Sequence, residues 1–322
     1  MNMFENKRIL IAGGTGFVGV NLINRFLSLG ARVRATLHRK PPVIRDERIE
    51  YLQCDLLDAN DCGKAAEGMD YVVMCAANTS GAAVIASTPL VHVTPNIIMN
   101  ARILEASYSA GVDKFVFLSS NAAYPPSGDR YVTEGEMFDG DPYETYFGVG
   151  WMKRYTEILC RLYAEKLKKP MKTIVIRPSN IYGPYDDFDP ATSHVMAATL
   201  RKVVERHDPI QVWGSGEDVR DLIYIDDFVD AVVSAMEKVE TFAPVNIGLG
   251  KGYTVKEILG IALEVDNYSN AKIEYDATGP SMIPIRLIDV SMADKLLGFK
   301  AKTGVKDGIA KTIDWYRKTV NL

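Results

Sequence analysis

The chain has 322 residues, of which 47% are hydrophobic and 24% charged, and its formal net charge is −4 at pH 7. This composition is ordinary for a globular protein, and the length suffices for one large domain or two closely joined ones. The slight negative charge provides no general attraction to nucleic acid or to anionic membranes, so we expect neither as a partner.

The first predicted strand and turn are the most informative segment. The apolar run at residues 9–12 breaks at Gly13, glycines recur at Gly16 and Gly19, and an amphipathic helix is predicted at residues 17–29. The free N–H groups and positive end of such a helix can hold a pyrophosphate, and the three glycines allow the turn, the approach of phosphate and close packing. A plain strand–helix turn is the alternative. The position early in the chain favours a dinucleotide site for NAD or NADP.

The second predicted strand, residues 32–36, indicates which dinucleotide. An NAD enzyme usually ends this strand with Asp or Glu on the ribose hydroxyls. Here no acid is present, and His38, Arg39 and Lys40 follow. We therefore expect NADP(H), with Arg39 beside His38 at the 2′-phosphate. A solvated basic loop is the alternative.

The remaining elements predict the fold class. Strands are expected at residues 49–53, 71–75, 114–119 and 173–177, and helices at 95–110, 151–168, 192–206, from Asp226 onward, and at 305–318. This alternation predicts an α/β fold with a Rossmann-type, doubly wound parallel sheet that binds ligands at the carboxyl ends of its strands. We expect residues 1–178 to form the NAD(P)-binding domain. Residues 179–322 should form a smaller, mixed α/β substrate-binding part, with some return of the chain to the first domain.

The cysteine pattern bears on the compartment. Cys54, Cys62, Cys75 and Cys160 form no Cys-x-x-Cys pair, so we expect free thiols in a reducing cytosol and no metal ion. No signal-like stretch begins the chain and no run reaches transmembrane length, so we expect a cytoplasmic protein.

Further motifs follow the glycine turn in a consistent order. They lie at residues 54–56, 76–77, 119–124, 153–157, 177–184, 212–216 and 220–227. Together they resemble the extended short-chain dehydrogenase/reductase family, in its nucleotide-sugar epimerase/dehydratase branch, and residues 180–195 look most like GDP-fucose synthase. The resemblance implies an NAD(P)-dependent enzyme that transfers hydride at C4 of a nucleoside-diphosphate sugar, above all a GDP-sugar. Such enzymes serve surface polysaccharide or deoxysugar synthesis.

The resemblance also implies the cofactor-binding residues. They are Gly13, Gly16, Phe17 and Val18 along the pyrophosphate, His38 and Arg39 at the adenosine ribose, Asp55 and Leu56 at the adenine, and Ala76, Ala77 and Lys153 at the nicotinamide ribose. Asp55 could instead cap a following helix.

Catalytic and substrate residues are implied in the same way. Ser120 matches the hydroxyl that hydrogen-bonds the reacting sugar oxygen, and Lys153 matches the lysine that assists the catalytic tyrosine; a turn serine and a helix-surface lysine are the alternatives. The substrate residues implied are Ser120, Asn121, Asn180, His194, Val195, Trp213 and Arg220. Arginine suits a phosphate through its charged, bidentate fork. Trp213 could instead belong to the core, and His194 could have only a packing or capping role.

Two residues depart from the family pattern. Val149 stands four residues before Lys153, where a tyrosine is expected, and losing general acid–base help typically costs about 10²–10⁴ in rate. Tyr146 is the nearest substitute, although two helical turns, about 10 Å, separate it from Lys153 along the axis. Its phenol would need the charge of Lys153 to act near neutrality. Ala122 replaces the cysteine base of GDP-fucose synthases, which argues against double epimerisation.

The alternative function is that of a catalytically reduced family member, which binds NAD(P) and a nucleotide sugar as a regulatory or scaffold protein. Val149 is the main support for this alternative. Dehydratase activity is disfavoured because Asn121 and Ala122 replace an Asp-Glu pair.

The resemblance implies a homodimer through the helices at residues 95–110 and 151–168. The first of these carries surplus apolar residues, namely Ile97, Ile98, Ala101, Ile103 and Leu104.

Overall fold

The computed structural model describes residues 2–79, 88, 90–276 and 283–320, and every structural statement below concerns these residues. The strands are β1 (Arg8–Ala12), β2 (Arg32–Leu37), β3 (Ile49–Gln53), β4 (Tyr71–Met74), β5 (Lys114–Leu118), β6 (Tyr131–Val132), β7 (Lys172–Pro178), β8 (Asn180–Tyr182), β9 (Ile210–Trp213), β10 (Val219–Tyr224), β11 (Phe242–Ile247), β12 (Gly252–Thr254), β13 (Ile273–Asp276) and β14 (Ile285–Ile288). The helices are α1 (Phe17–Ser28), α2 (Ala59–Ala66), α3 (Leu90–Ser109), α4 (Phe147–Glu165), α5 (Val195–Val204), α6 (Ile225–Lys238), α7 (Val255–Val265) and α8 (Val305–Val320).

Seven strands form one parallel sheet in the order β11-β7-β5-β4-β1-β2-β3. Its central strands β1, β4 and β5 are nearly all apolar because helices cover both faces of the sheet. In β1, Ile9 and Ile11 pack in the cluster that contains the buried side chains of α1 and α6, whereas Leu10 packs on the other face with Ile103 and Leu104 of α3. The predicted doubly wound, Rossmann-type α/β fold is confirmed.

The chain beyond Pro178 builds most of two smaller sheets, to which the earlier segment contributes β6. One has the order β12-β10-β14-β6, with β8 also paired to β10, and β9 pairs with β13. Strand β10 runs antiparallel to β12 and parallel to β14, so this part is mixed as expected. Strand β11 returns to the large sheet beside β7. The division of the chain at residue 178 stays a prediction.

Helix α3 differs most from its predicted bounds, since it begins at Leu90 rather than at Pro95. A proline inside a helix has no N–H to donate to the carbonyl four residues earlier. That carbonyl, on Val91, accepts a hydrogen bond from Nδ2 of Asn78 instead (3.0 Å). The side chain of Asn78 thus satisfies the group that Pro95 leaves open, and the helix passes through the proline.

Helix α4 also begins earlier than predicted, at Phe147 rather than at Trp151. Two glycines, Gly148 and Gly150, weaken the helical pattern in the sequence. In the structure Gly150 is buried, and a Cβ there would lie 2.5 Å from the ring of Pro142. The glycine therefore serves close packing in the first turn of the helix.

The four cysteines are free thiols, as predicted. Burial raises the pKa of Cys54 to about 12, so this thiol stays protonated at neutral pH. None of the helices in the described ranges is long and apolar enough to cross a membrane.

Candidate functional site

The glycine turn between β1 and α1 has the geometry of an anion site. Gly13 has φ +96°, and a Cβ on it would lie 2.7 Å from the backbone of Ala76, while a Cβ on Gly19 would overlap the carbonyl oxygen of Gly13. No side chain caps α1, and its first helical bond runs from Val20 N–H to the carbonyl of Gly16 (2.9 Å). The N–H groups of the first turn are therefore available to an anion. The turn fits the pyrophosphate of a dinucleotide.

Asp55 and Leu56 follow β3 at the predicted adenine position. Oδ1 of Asp55 accepts from the N–H of Leu57 (2.9 Å), and no described residue donates to the other oxygen. The alternative of a capping role is wrong, because the residue that caps α2 is Asp58, which accepts from the N–H groups of the first turn. The side chain of Leu56 is buried in the core, so only its backbone is left to face a ligand.

The end of β2 presents the predicted basic residues. His38 and Arg39 are exposed, and the Arg39 side chain makes no hydrogen bond or ion pair with the described part of the chain. Arg34, in contrast, is bound to Glu50 (2.9 Å) and to three carbonyls at the end of α2. Arg39 is therefore, like the neighbouring exposed Lys40, a cation of this strand end that is free to meet a phosphate.

Ser120 and the bonded end of the Lys153 side chain both lie at the carboxyl end of β5. The Nζ of Lys153 donates to the carbonyl of Leu118 (2.7 Å) and lies 4.9 Å from the centre of the Phe117 ring. Burial lowers the pKa of Lys153 to about 8, against the opposing charge of Glu157. This lysine is half-buried and bonded, so the surface alternative is wrong.

Ser120 lies two residues after the carbonyl that Lys153 holds. Its Oγ accepts from the N–H of Ala122 (3.1 Å) in the short helical turn that follows. This bond uses an oxygen lone pair, so the hydroxyl hydrogen is left to be donated. Ser120 therefore caps the turn and can also donate a hydrogen bond to a ligand oxygen.

Tyr146 lies in a short helical turn just before α4, and Val149 lies in the first turn of that helix. Burial raises the pKa of the Tyr146 phenol, while the charges of Arg220 and Arg286 act to lower it. The charges that act to lower this pKa are thus those of two arginines on the smaller sheet rather than that of Lys153. The phenol therefore lies near the smaller sheet, and its role in proton transfer stays a prediction.

Arg220 and Arg286 form a pair of cations across two strands. They are directly paired in the register of β10 and β14. Arg220 bonds Asp218 (2.9 Å), and the buried Arg286 donates to the carbonyls of Pro125 (3.0 Å) and Tyr124 (3.2 Å). Burial and the neighbouring charge of Arg220 lower the pKa of Arg286 to about 10. Two adjacent guanidinium groups provide a place for a diphosphate.

The sequence analysis missed Arg286. Its only signal was a cation in the otherwise apolar strand β14, where burial is costly without a partner. The Nε of Arg286 is buried and has no hydrogen-bond partner among the described residues. The cross-strand position opposite Arg220, which explains it, depends on long-range pairing that the local sequence does not show.

The predicted residues Asn180, Asn121 and Ala77 have different environments. Nδ2 of Asn180 donates to the carbonyl of Asp221 (2.9 Å), which ties β8 to β10. Nδ2 of Asn121 is buried without a hydrogen-bond partner in the described ranges. Ala76 and Ala77 follow β4 directly beside the glycine turn. Asn121 thus has a donor to offer, whereas the amide of Asn180 is already used in the fold.

His194, Val195 and Trp213 lie on the smaller part. His194 occupies the N-cap position of α5 but makes no side-chain cap bond, so the capping alternative is wrong. Burial lowers its pKa against the opposing charge of Asp187. Trp213 ends β9 with 56% of its surface exposed, so it is not a core tryptophan. Val195 is exposed at the start of α5. All three are accessible to a ligand.

Metal ligands are not grouped in the described part of the chain, where no three His, Cys, Asp or Glu residues are placed to hold an ion. The candidate residues described above can bind anions, donate hydrogen bonds and transfer protons. The anion-binding turn, Ser120 and Lys153 belong to the large sheet, and the arginine pair belongs to the smaller one.

The chain is similar to known proteins over nearly its whole length. The chain is 28% identical to "Probable GDP-L-fucose synthase 1" of Oryza sativa subsp. japonica, over 98% of this chain and 94% of that protein. It is also 28% identical to the GDP-L-fucose synthase of Escherichia coli K12, over 97% of each chain. The structure of the UDP-glucose 4-epimerase of Thermotoga maritima, solved with UDP-glucose, superposes with a TM-score of 0.86 at 26% identity, covering 97% of this chain and 99% of that one. The model of the "NAD dependent epimerase/dehydratase family" matches residues 9–248, and the chain belongs to that family.

Proposed function

We propose that this protein is an NADPH-dependent reductase that acts on the C4 keto group of a nucleoside-diphosphate sugar. A GDP-sugar is the first candidate substrate. The observation that carries the proposal is that Lys153 binds the carbonyl of Leu118, two residues before Ser120, at the end of a strand in the same sheet as the glycine turn. The GDP-L-fucose synthases and the UDP-glucose 4-epimerase among its relatives support a nucleotide-sugar substrate. The free thiols suit a cytoplasmic location.

The two parts of the chain divide the binding. Residues 1–178 hold the dinucleotide: the first turn of α1 binds its pyrophosphate and Asp55 accepts from its adenine. Residues 179–322 hold the sugar nucleotide: Arg220 and Arg286 bind its diphosphate and Trp213 stacks on its base. His194, Val195, Asn121 and Asn180 line the sugar site. The bound dinucleotide supplies the hydride for C4.

The chain's own residues then handle the charge and the proton. The described residues take one of the three N–H donors of Lys153, which leaves two for the ribose hydroxyls of the nicotinamide half. Ser120 donates a hydrogen bond to the keto oxygen and stabilises the negative charge that develops there. As the C4–H bond forms, the C=O π pair moves to oxygen, which takes a proton from the Tyr146 phenol. Solvent then restores the phenol.

Reduction without epimerisation agrees with the residues present. Epimerisation beside a keto group requires a base that removes a carbon-bound proton. Ala122, in the turn after Ser120, has only a methyl group. The raised pKa of Tyr146 keeps its phenol protonated at neutral pH, which suits a proton donor to a developing alkoxide. The methyl group at Ala122 argues against epimerisation, and the protonated phenol suits reduction of the keto sugar to the alcohol.

The pH dependence of turnover should reflect Lys153. Burial lowers the pKa of its ammonium group to about 8, so the charge is present below this pH and is lost above it. We expect kcat/KM to fall as pH rises through about 8, because the charge helps to hold the cofactor. In Lys153→Met this decline should disappear along with most of the activity. A flat wild-type profile between pH 7 and 9.5 would contradict the role of this lysine.

Cofactor preference should depend on Arg39. In Arg39→Ala we expect the dissociation constant for NADPH to rise at least about tenfold, as expected for losing a charge-assisted contact to phosphate. The value for NADH should change by less than about twofold. Fluorescence titration of both dinucleotides measures this, with Lys40→Ala as the matched control on the same loop. Equal small changes, or a wild-type preference for NADH, would overturn the assignment.

A homodimer should form through α3 and α4. On α4 an apolar stripe is 39% to 52% exposed and recurs at helical spacing; it consists of Phe147, Trp151, Tyr155, Ile158 and Leu162. An exposed apolar face of this kind marks an interaction surface. Light scattering at micromolar concentration should give a dimer for the wild type and a monomer for Ile158→Glu, with Leu296→Glu as an exposed control elsewhere. A monomeric wild type would contradict the predicted homodimer.

The alternative, a non-catalytic binding protein, predicts nucleotide binding without turnover. The comparisons lend it no support, because the relatives described above carry the names of enzymes. Oxidation of NADPH should be followed with 4-keto forms of GDP-, UDP-, CDP- and dTDP-sugars, and the corresponding alcohols should be tested with NADP⁺. Turnover of at least one pair supports the reductase. Tight binding of both ligands without any turnover would establish the alternative.

A further inference from the structure

We propose that Glu157 is the positioning residue of this site. Together with Ser119 and Arg177, it clamps the segment that carries Ser120 against α4. We call these three residues the Ser119–Glu157–Arg177 clamp. The inference rests on the proposed function of Ser120 and Lys153, and the experiment below separates its failure from the failure of that function.

Helix α4 holds the end of β5 at two successive residues. Lys153 donates to the carbonyl of Leu118 (2.7 Å), and one turn later Glu157 accepts from Oγ of Ser119 (2.5 Å). Residues four apart on a helix share a face, so a single face of α4 makes both contacts. Ser120 comes next in the chain. Its position relative to Lys153 is therefore set by this pair of bonds.

Arg177 completes the clamp from the neighbouring strand. Leu118 is paired with Ile176 in the register of β5 and β7, and the next residue on β7 is Arg177. Its guanidinium binds both oxygens of Glu157, through Nε (3.1 Å) and Nη2 (2.6 Å). Both side chains are only 2% exposed. A buried, bidentate pair of this kind fixes orientation as well as charge.

The same arginine also holds the chain on the far side of Ser120. Its Nη1 donates to the hydroxyl of Tyr124 (2.9 Å) and to the carbonyl of Glu134 (2.8 Å). The Tyr124 hydroxyl donates in turn to Oδ1 of Asn246 on β11 (2.7 Å). The segment from Ser119 to Tyr124 is thus fixed at both ends through one cation. The turn with Ser120 lies between these two anchors.

The charge of Glu157 also affects the protonation of Lys153. Its negative charge raises the pKa of Lys153 against the effect of burial. Loss of the Glu157 charge should therefore shift the titration of Lys153 to lower pH.

Two variants separate position from charge. Ser119→Ala removes the hydroxyl and leaves the Arg177–Glu157 ion pair in place. Because a misplacement of about 1 Å can cost about 10² in rate, we expect kcat to fall at least about tenfold, with an unchanged dissociation constant for NADPH. Ser119→Thr should restore most of kcat. Glu240→Gln, which breaks the ion pair with Lys114 at the opposite end of β5, is the matched control and should leave kcat unchanged.

The charge effect is measured without substrate. The rate of acetylation of Lys153 by acetic anhydride, followed by mass spectrometry against pH, should give a lower apparent pKa in Glu157→Gln than in the wild type and in Glu240→Gln. If Glu157→Gln does not fold, the double variant Glu157→Gln/Arg177→Gln, which removes both buried charges, takes its place. The labelling gives an answer even if no nucleotide sugar is turned over, which would contradict the proposed function alone. Either full kcat in Ser119→Ala or unchanged titration of Lys153 would overturn the clamp.

Discussion

Replacing Ser120 with alanine should lower kcat by about 10²-fold or more, with little change in the dissociation constant for NADPH. Its hydroxyl is placed to donate to an oxygen on which negative charge develops, and removal of one such donor typically costs about 10²–10³ in kcat. The Oγ also accepts from the N–H of Ala122 (3.1 Å), so the variant is expected to loosen this turn slightly.

Pre-steady-state measurement of NADPH oxidation separates chemistry from product release. The exposed Ser109→Ala at the end of α3 is the control for loss of a serine hydroxyl. A hydride-transfer rate in Ser120→Ala that equals the wild-type rate would remove Ser120 from the mechanism.

Tyr146→Phe should cut turnover at least about tenfold, within the usual range for losing acid–base help. The phenol is half-buried, and it lies where Arg220 and Arg286 act on its charge. These cations do not bring its pKa down to the neutral range, so the expected role is that of a proton donor. The solvent isotope effect on kcat should report this proton transfer in the wild type.

Val149→Tyr provides the complementary test. Val149 is half-buried one turn before Lys153, on the helix face that meets the end of β5. A tyrosine placed there should restore turnover in the Tyr146→Phe background, because it would bring a phenol next to Lys153. Full activity of Tyr146→Phe would instead identify Tyr146 as a packing residue and leave proton delivery to water.

The large sheet could be predicted from local patterns. Its strands are short apolar runs, and the glycine turn requires residues without a Cβ where Gly13 meets Ala76 and Gly19 meets Gly13. The apolar runs and the spacing of the three glycines lie within a few residues of one another and are visible in the sequence. The early start of α3 could not be predicted, because the carbonyl that Pro95 leaves open is satisfied by Asn78, which is distant along the chain.

The site could be predicted only in part, for the same physical reason. Ser120 and Lys153 follow a recognisable spacing, and in the structure Lys153 binds the carbonyl of Leu118, two residues before Ser120. The role of Arg286 depends on its pairing with Arg220 on the neighbouring strand β10. The role of Glu157 depends on its ion pair with Arg177 on β7. In the sequence alone, Arg286 looks like a cation in a strand and Glu157 like an acidic residue on a helix surface. Their burial and pairing depend on tertiary contacts.

The transfer of deuterium from NADPH labelled at nicotinamide C4 tests the central claim most directly. The protein should be incubated with the labelled cofactor and the 4-keto nucleotide sugar, and the product analysed by mass spectrometry and NMR. We predict one deuterium at sugar C4, delivered to one face, and loss of this transfer in Lys153→Met. A product without deuterium at C4, or label at any other carbon, would contradict hydride transfer at this site.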